Sequence, residues 1–240
     1  MKCTGFITAL ASEARTLRPA FGHGDTSMTH GVLISIAGIG AAAAGRAAIA
    51  AVNAGAGALV SWGYAGGLAP HLTCGTLVLP DRIVCADGSV FDTDEDWREA
   101  LSDRIAGQQT VRCSPLLSTS LILADTQSKA RHFRDSGAIA VDMESAAIAR
   151  VARASKIPFL AVRAVLDTSD EQMPRAIADA IGPEGNLRWM LFWREVARSP
   201  RTLQQLLGLR NNYREARRAL IAAAVVGRPH LHPSGAEVTM

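Results

Sequence analysis

Residues 138–171 read AIAVDMESAAIARVARASKIPFLAVRAVLDTSDE, and the fold of the chain turns on how this stretch is read. An apolar AIAV run comes first. An alanine-rich segment follows that keeps Ile148, Val151 and Ala152 on one helical face, and then the β-branched run FLAVRAVL, so the stretch reads strand, helix, strand. Asp142 and Glu144 follow the first strand and Asp167 the second. In a parallel sheet with a crossover helix these carboxylates come to one carboxyl-end edge, where open α/β sheets bind ligands. The competing reading makes Glu144 and Asp167 cap or loop acids.

Toward the N-terminus, residues 5–10 read as a short strand, and residues 11–17 begin a helix or turn that sets Glu13 just beyond its end. Residues 32–68, VLISIAGIGAAAAGRAAIAAVNAGAGALVSWGYAGGL, form a βαβ pattern. A strand leads through a glycine turn into an alanine-rich helix at 41–53, then into a strand at 58–62 and a second glycine turn at Gly63, Gly66 and Gly67. The first turn, residues 38–43, satisfies the G-x-G-x-x-G/A dinucleotide fingerprint. Such a site also wants an acid about twenty residues on for the ribose hydroxyls. None stands between Asp25 and Asp81, which argues against a nicotinamide cofactor. What survives is physical: at a helix N-terminus these glycines let backbone amides approach an anion or a ribose.

Further along, residues 76–84 read as a strand interrupted by Pro80. Residues 87–103 read as an acid-rich loop holding Phe91 and Trp97, a solvated connection in preference to a lid. Residues 121–124 are strand-like, and 126–135 form a helix leading back to the central stretch. Beyond Glu171 the pattern changes. Residues 186–199 put Trp189, Met190, Phe192, Trp193 and Val196 on one helical face, residues 202–209 and 211–224 continue as two more helices, and a loose tail ends the chain.

With 240 residues and 48% hydrophobic content, the chain suits one large α/β domain or a domain with an appendage. No apolar run approaches a bilayer-spanning length, and the opening MKCTGFITALASEAR lacks a cleavable secretory layout, so a cytoplasmic protein is expected. Cys3, Cys74, Cys85 and Cys113 are far apart with no C-x-x-C pair, which suggests neither a zinc site nor a disulfide frame. The net charge is +3, unevenly spread. Residues 186–228 carry nine arginines against Glu195 and Glu215, while residues 1–185 carry 16 Lys and Arg against 19 Asp and Glu. A mildly acidic body thus bears a basic appendage without lysine, and arginine grips phosphate in bidentate fashion. The acidic body and the lack of an aromatic platform among the arginines argue against nucleic-acid binding.

Taken in order, the segments A-L-A-S-E-A-R (9–15), A-G-I-G (37–40), G-Y-A-G-G-L (63–68), V-D-M-E-S-A-A-I-A (141–149) and V-R-A-V-L-D-T-S-D (162–170) resemble the purine nucleoside phosphorylase superfamily. The general pattern over residues 1–181 is most like the methylthioadenosine/S-adenosylhomocysteine nucleosidases. The arginine-rich ending does not fit those nucleosidases and is similar to the hopanoid-associated phosphorylases, which remove adenine from adenosylhopane to leave a ribosyl or phosphoribosyl hopane.

The resemblance implies an α/β fold with a central mixed sheet flanked by helices, residues 1–185, a basic amphipathic helical extension at 186–228 and a tail at 229–240. It implies cleavage of a purine N-glycosidic bond, with Asp167 as the general acid reaching N7 and Glu13 orienting the nucleophile. Glu144 would accept both ribose hydroxyls, Met143 would pack on the sugar, and Arg163 would tether the carboxylates, its alternative being a structural ion pair. Gly40 and Gly66 belong to the glycine turns, with the Gly40 amide offered to an anion. Arg46 and Arg82 are the candidates for holding phosphate, the co-substrate if the reaction is phosphorolysis rather than hydrolysis. No metal or organic cofactor is implied. Two departures stand out. Tyr64 replaces a small hydroxyl residue in the second glycine turn, and residues 124–128 lack the aromatic that stacks on the base, leaving Phe91 or Phe133 to replace it. A homodimer is expected, and so is peripheral contact of 186–228 with the inner face of a membrane. The alternative substrates are small adenosine derivatives such as methylthioadenosine.

Overall fold

Residues 3–22, 31–172 and 200–233 are described in the computed structural model of the chain. The elements in chain order are β1 (Cys3–Thr8), α1 (Ala11–Phe21), β2 (Val32–Ile36), α2 (Ala41–Asn53) and β3 (Ala56–Gly67). Then come β4 (Leu77–Val78), β5 (Arg82–Cys85), β6 (Val90–Asp92), α3 (Glu95–Ala106), β7 (Val111–Arg112) and β8 (Leu116–Ser118). The remainder is α4 (Thr126–Ser136), β9 (Ala140–Asp142), α5 (Ser145–Ser155), β10 (Phe159–Asp167), α6 (Pro200–Gly227) and a 3₁₀ turn (Arg228–His230).

The twelve residues of β3 measure out a ten-stranded mixed sheet. Along one side of its first half runs β1, parallel, with β2 beyond. Along the other side β10 runs parallel from Phe159 opposite Leu59 to Asp167 opposite Gly66. At the end of β3 the partner changes, and β9 pairs antiparallel, with Gly66 opposite Val141 and Gly67 opposite Ala140. The crossover expected between two parallel neighbours is therefore absent, because β9 is only three residues long and runs against β3. The carboxylates still meet. β9 heads back along β3 while β10 arrives from the opposite direction, so Val141, the neighbour of Asp142, and Asp167 both lie opposite Gly66.

Strand alternation divides the core between the two faces of the sheet. Ile7, Leu59 and Ala161 face α2 and α5, whose Ala44, Ala48, Ala51, Ile148, Ala149 and Ala152 let the two helices lie close to the strands and to each other. Phe6, Val60 and Leu160 face the other way, toward α1, α3 and α6, in a layer filled by Trp62, Trp97, Leu101, Ile105 and Leu220. Buried indole N–H groups need acceptors: Trp62 donates to Thr16 Oγ1 at 2.8 Å and Trp97 to the His230 carbonyl at 2.7 Å.

Four expectations are corrected. Residues 87–103 hold β6 and most of α3 rather than a loop, since Asp94 caps the Trp97 N–H at 3.0 Å and Trp97, Leu101 and Ile105 supply one buried face. Residues 121–124 are not a strand, because β8 ends at Ser118 and the chain bends away. The two helices expected over 202–224 are one, α6. Part of the tail is docked: Leu231 is fully buried and Thr4 Oγ1 lies 2.8 Å from His232 Nδ1. The boundary expected at 185/186 and the aromatic face at 186–199 lie outside the described residues. Ala216, Ala219, Leu220, Ala223 and Ala224 pack α6 into the core of the body.

Candidate active site

The carboxyl ends of β1, β3, β9 and β10 open onto a cavity of about 350 Å³. Ala9, Leu10, Ile39, Leu121, Ile122, Leu123, Met143 and Leu166 give it apolar walls, among which stand Glu13, Asp142, Glu144, Asp167, Tyr64 and Gly66. Residues 13, 64, 66, 143, 144 and 167, far apart in sequence and all chosen from it, thus line one space.

Glu13 sits in the first turn of α1 and folds back on the chain that enters the helix. Its Oε2 accepts the Ala9 and Leu10 amides, each at 2.8 Å, and its Oε1 accepts the Tyr64 amide at 3.0 Å. Burial pushes its carboxyl above the ordinary range, with Arg163 and these three amides pulling the other way. Gly63 makes the packing possible, because a Cβ there would meet the Glu13 carboxylate and stand 2.5 Å from Arg163 Nη1.

Glu144 accepts the Gly40 amide at 2.8 Å on Oε1 and the Met143 amide at 3.3 Å on Oε2. The glycine turn with the dinucleotide pattern therefore presents the N-terminus of α2 to an anion of the protein itself. Gly40, at φ 99°, adopts a conformation that glycine reaches without strain. The Gly40 amide expected to be offered to a ligand anion is taken by Glu144. Burial raises Glu144 to about 7, opposed by Arg163 and assisted by Asp142.

Arg163 lies behind the cavity and does not line it. Its Nη2 donates to Asp142 Oδ2 at 2.6 Å, to Ser61 Oγ at 2.6 Å and to Ser145 Oγ at 3.2 Å, and stands 3.8 Å from Glu144 Oε2. Asp142 also accepts the hydroxyl and amide of Ser145, which fixes the start of α5. The cation thus holds Asp142 and faces Glu144.

Asp167 ends β10 beside Gly66, where an added Cβ would stand 3.4 Å from its Oδ1 and 3.3 Å from Val141 Cγ1. Burial is the largest influence on it and raises its carboxyl, while Lys129 opposes. Reading α4 as an ordinary polar helix missed Lys129, whose Nζ lies 2.5 Å from Asp167 Oδ2. Tyr64 packs edge-on against Tyr213 of α6 with ring centres 5.6 Å apart. Burial, reinforced by Tyr213, pushes the Tyr64 phenol upward, so it stays a hydroxyl at working pH.

The remaining candidates are elsewhere. Arg46 is exposed on α2, and Arg82 is exposed on β5 beside Asp81 at 4.0 Å; neither lines the cavity. Phe91 is buried with the Arg153 guanidinium 4.3 Å above its ring, and Phe133 packs against Leu68, Leu117 and Leu123. Among the described residues the wall that could flank a base is aliphatic, built by Leu121, Ile122 and Leu123.

A mixed α/β sheet whose strand ends surround a carboxylate-lined, otherwise apolar cavity is the architecture of a small-molecule site. The chain belongs to the phosphorylase superfamily, whose family model matches residues 20–184. It is 38% identical over 82 residues to a 5′-methylthioadenosine/S-adenosylhomocysteine nucleosidase of Treponema pallidum, a match spanning 31% of this chain and 30% of that relative. In fold it is similar to the Helicobacter pylori nucleosidase of the same description, crystallised with butyl-thio-DADMe-Immucillin-A: 16% identity, TM-score 0.70, covering 96% of this chain and 97% of that one. It is similar also to futalosine hydrolase of Helicobacter pylori, with 17% identity, TM-score 0.69 and coverage of 92% and 97%.

Proposed function

We propose that this chain cleaves the N-glycosidic bond of an adenine nucleoside carrying a large apolar 5′ group, with adenosylhopane as the substrate, and releases adenine. One observation carries the reading: three buried carboxylates from distant segments, Glu13, Glu144 and Asp167, share a cavity that meets solvent over apolar side chains. Leu10 and Leu121 both line it and are 40% and 62% exposed.

The chemistry follows from the bond. Breaking C1′–N9 leaves positive charge on the ribose and negative charge on the purine unless N7 is protonated. Asp167, whose burial favours the neutral acid, donates that proton. Glu144 offers two acceptor oxygens to the two ribose hydroxyls and, ionised, stabilises the charge that develops on the sugar. Glu13 orients the nucleophile. Among the described residues the cavity is lined by four acids and by no lysine or arginine, so no cationic side chain on its wall is there to grip a phosphate, and water is the favoured nucleophile. The product is then ribosylhopane, and phosphoribosylhopane follows only if phosphate attacks.

A second reading has its own support in the Treponema match: a nucleosidase for small adenosine derivatives, with the exposed leucines covered by a second copy in a homodimer. In the first reading the exposed Arg210, Arg214, Arg217 and Arg218 of α6 face anionic headgroups at the inner membrane surface, although no helix of the described residues is long and apolar enough to cross a membrane.

Adenine release is to be followed chromatographically from a long-chain 5′-alkyl adenosine and from methylthioadenosine in competition, with and without inorganic phosphate. Preference for the long chain and indifference to phosphate are expected, with Asp167→Asn inactive. Strong preference for methylthioadenosine overturns the lipid assignment, a strict phosphate requirement overturns water, and undiminished turnover by Asp167→Asn overturns the acid.

A further inference from the structure

Lys129 is the single fully buried residue of α4, a mostly polar helix, and is 1% exposed. A buried ammonium is costly unless every hydrogen is matched. Here each has an oxygen: Asp167 Oδ2 at 2.5 Å, the Thr168 carbonyl at 2.6 Å and the Glu171 carbonyl at 2.9 Å. The lysine therefore binds the carboxylate at the end of β10 and the turn that follows it as one unit.

The other titratable groups around this pair are engaged elsewhere. Glu171 accepts the Thr168 amide at 3.0 Å and the Asn212 side-chain amide at 3.0 and 2.9 Å. Asp170 accepts the Thr168 hydroxyl at 2.5 Å. Cys74, beyond the end of β3, has its thiol pushed up to about 11 by burial and stays neutral. Lys129 does not line the cavity, so whatever it does for a substrate it does through Asp167.

We propose that Lys129 is a positioning residue for bond cleavage: it fixes Asp167 by Oδ2, leaves Oδ1 for the purine, and stabilises the carboxylate that forms when Asp167 gives up its proton. The inference rests on the reading of Asp167 as the acid. Asp167 enters the step neutral, with its proton on Oδ1. As C1′–N9 breaks, the electron pair passes into the purine, the Oδ1 proton moves to N7, and neutral adenine leaves. Asp167 remains as a carboxylate against the ammonium. Water adds to C1′ and loses a proton to solvent, from which Asp167 regains one after adenine leaves, so the turnover ends with the neutral acid restored. Burial and Lys129 pull Asp167 in opposite directions. The first favours the protonated acid, and the second makes its proton easier to release.

The test is the pH dependence of adenine release from a 5′-alkylthio adenosine, from about pH 5 to about pH 10, in wild type, Lys129→Met, Lys129→Arg, Asp167→Asn and the Lys129→Met/Asp167→Asn double variant. Lys129→Met is expected to lower kcat by about tenfold to hundredfold and to move the alkaline limb of kcat/KM upward by about one to three pH units, because Asp167 then holds its proton longer. Lys129→Arg keeps the charge, so its limb stays in place, while its planar fork fits the three oxygens poorly and kcat falls. In the Asp167→Asn background the methionine change should have little further effect.

A slower Lys129→Met enzyme with an unmoved limb would reduce Lys129 to a structural role and overturn the proposal. Should the methionine variant not fold, Lys129→Arg decides, since a displaced limb or an undiminished kcat there contradicts the assigned role. An inactive Asp167→Asn beside a Lys129→Met enzyme with the wild-type profile removes only the lysine inference. A fully active Asp167→Asn removes the acid as well.

Discussion

Arg163→Met puts the electrostatics of the site to the test. The guanidinium is 1% exposed, pairs with an equally buried Asp142 at 2.6 Å, and has Glu144 at 3.8 Å. Methionine is apolar and fills most of the same space, but it leaves Asp142, Glu144 and Glu13 without their shared cation. Breaking a buried pair by removing one partner costs about 3–5 kcal/mol. In a chain of this length each kcal/mol moves the midpoint by about 2–4 °C, so a fall of about 6–20 °C is expected at neutral pH. The deficit should also depend on pH. Burial raises Glu13 and Glu144, and Arg163 restrains both, so without it they climb further. Below about pH 7 folded wild type itself holds the Glu144 proton, so the part of the deficit owed to these carboxyls is small there, and it grows as pH rises through that value toward the variant's higher pKa. Urea unfolding of wild type and variant at several pH values, followed by the fluorescence of buried Trp62 and Trp97, measures this. A variant within about 1 kcal/mol of wild type at pH 8, the size of an exposed pair, would refute the reasoning. So would a deficit that does not change with pH.

Gly63→Ala should destabilise the fold by about 1–3 kcal/mol and abolish most activity, because the added methyl displaces a Glu13 carboxylate pinned by three amides; thermal unfolding and adenine release report the two effects. For Glu144, raised to about 7, kcat/KM on ribosides should rise as pH climbs through that value and the carboxyl ionises. Glu144→Gln should remove this limb and lower kcat/KM by about tenfold to hundredfold. Leu231→Ala, at a fully buried position, should cost about 2–5 kcal/mol in urea unfolding while leaving KM unchanged, which would separate the docked C-terminal turn from the site.

What could be read from the sequence followed from how strongly each residue depends on its immediate neighbours. Strand alternation and glycine turns place β1, β3, α2, α5 and β10, and carboxylates at strand exits point to residues 13, 144 and 167. The direction of β9 was hidden, because a three-residue strand has no periodicity that distinguishes parallel from antiparallel pairing. The helix α3 was missed although its signal was present: Asp94 as cap, acids in the first turn, and apolar residues four apart at 97, 101 and 105. Its density of acids reads as solvated loop. Lys129 had no local signal, since a lysine between polar neighbours reads as solvent-facing and its partner is 38 residues away. For the same reason Arg46 is a phosphate candidate only by its local place after Gly40, and it stands exposed on α2 and does not line the cavity.

The bend at residues 119–125 has a different kind of attachment from the acids it faces. It is tied to β9 at its start, where the Thr119 N–H donates to the Asp142 carbonyl, but beyond that its hydrogen bonds are short-range, Leu121 N–H to Thr119 Oγ1 and Ala124 N–H to the Ile122 carbonyl, whereas Glu13, Glu144 and Asp167 are bound to distant parts of the chain. Mutations in this bend can therefore reshape the cavity wall without loosening the groups that would break the bond. A lineage could thus drift in what the cavity admits by exchanging three aliphatic side chains, the buried acids inherited intact.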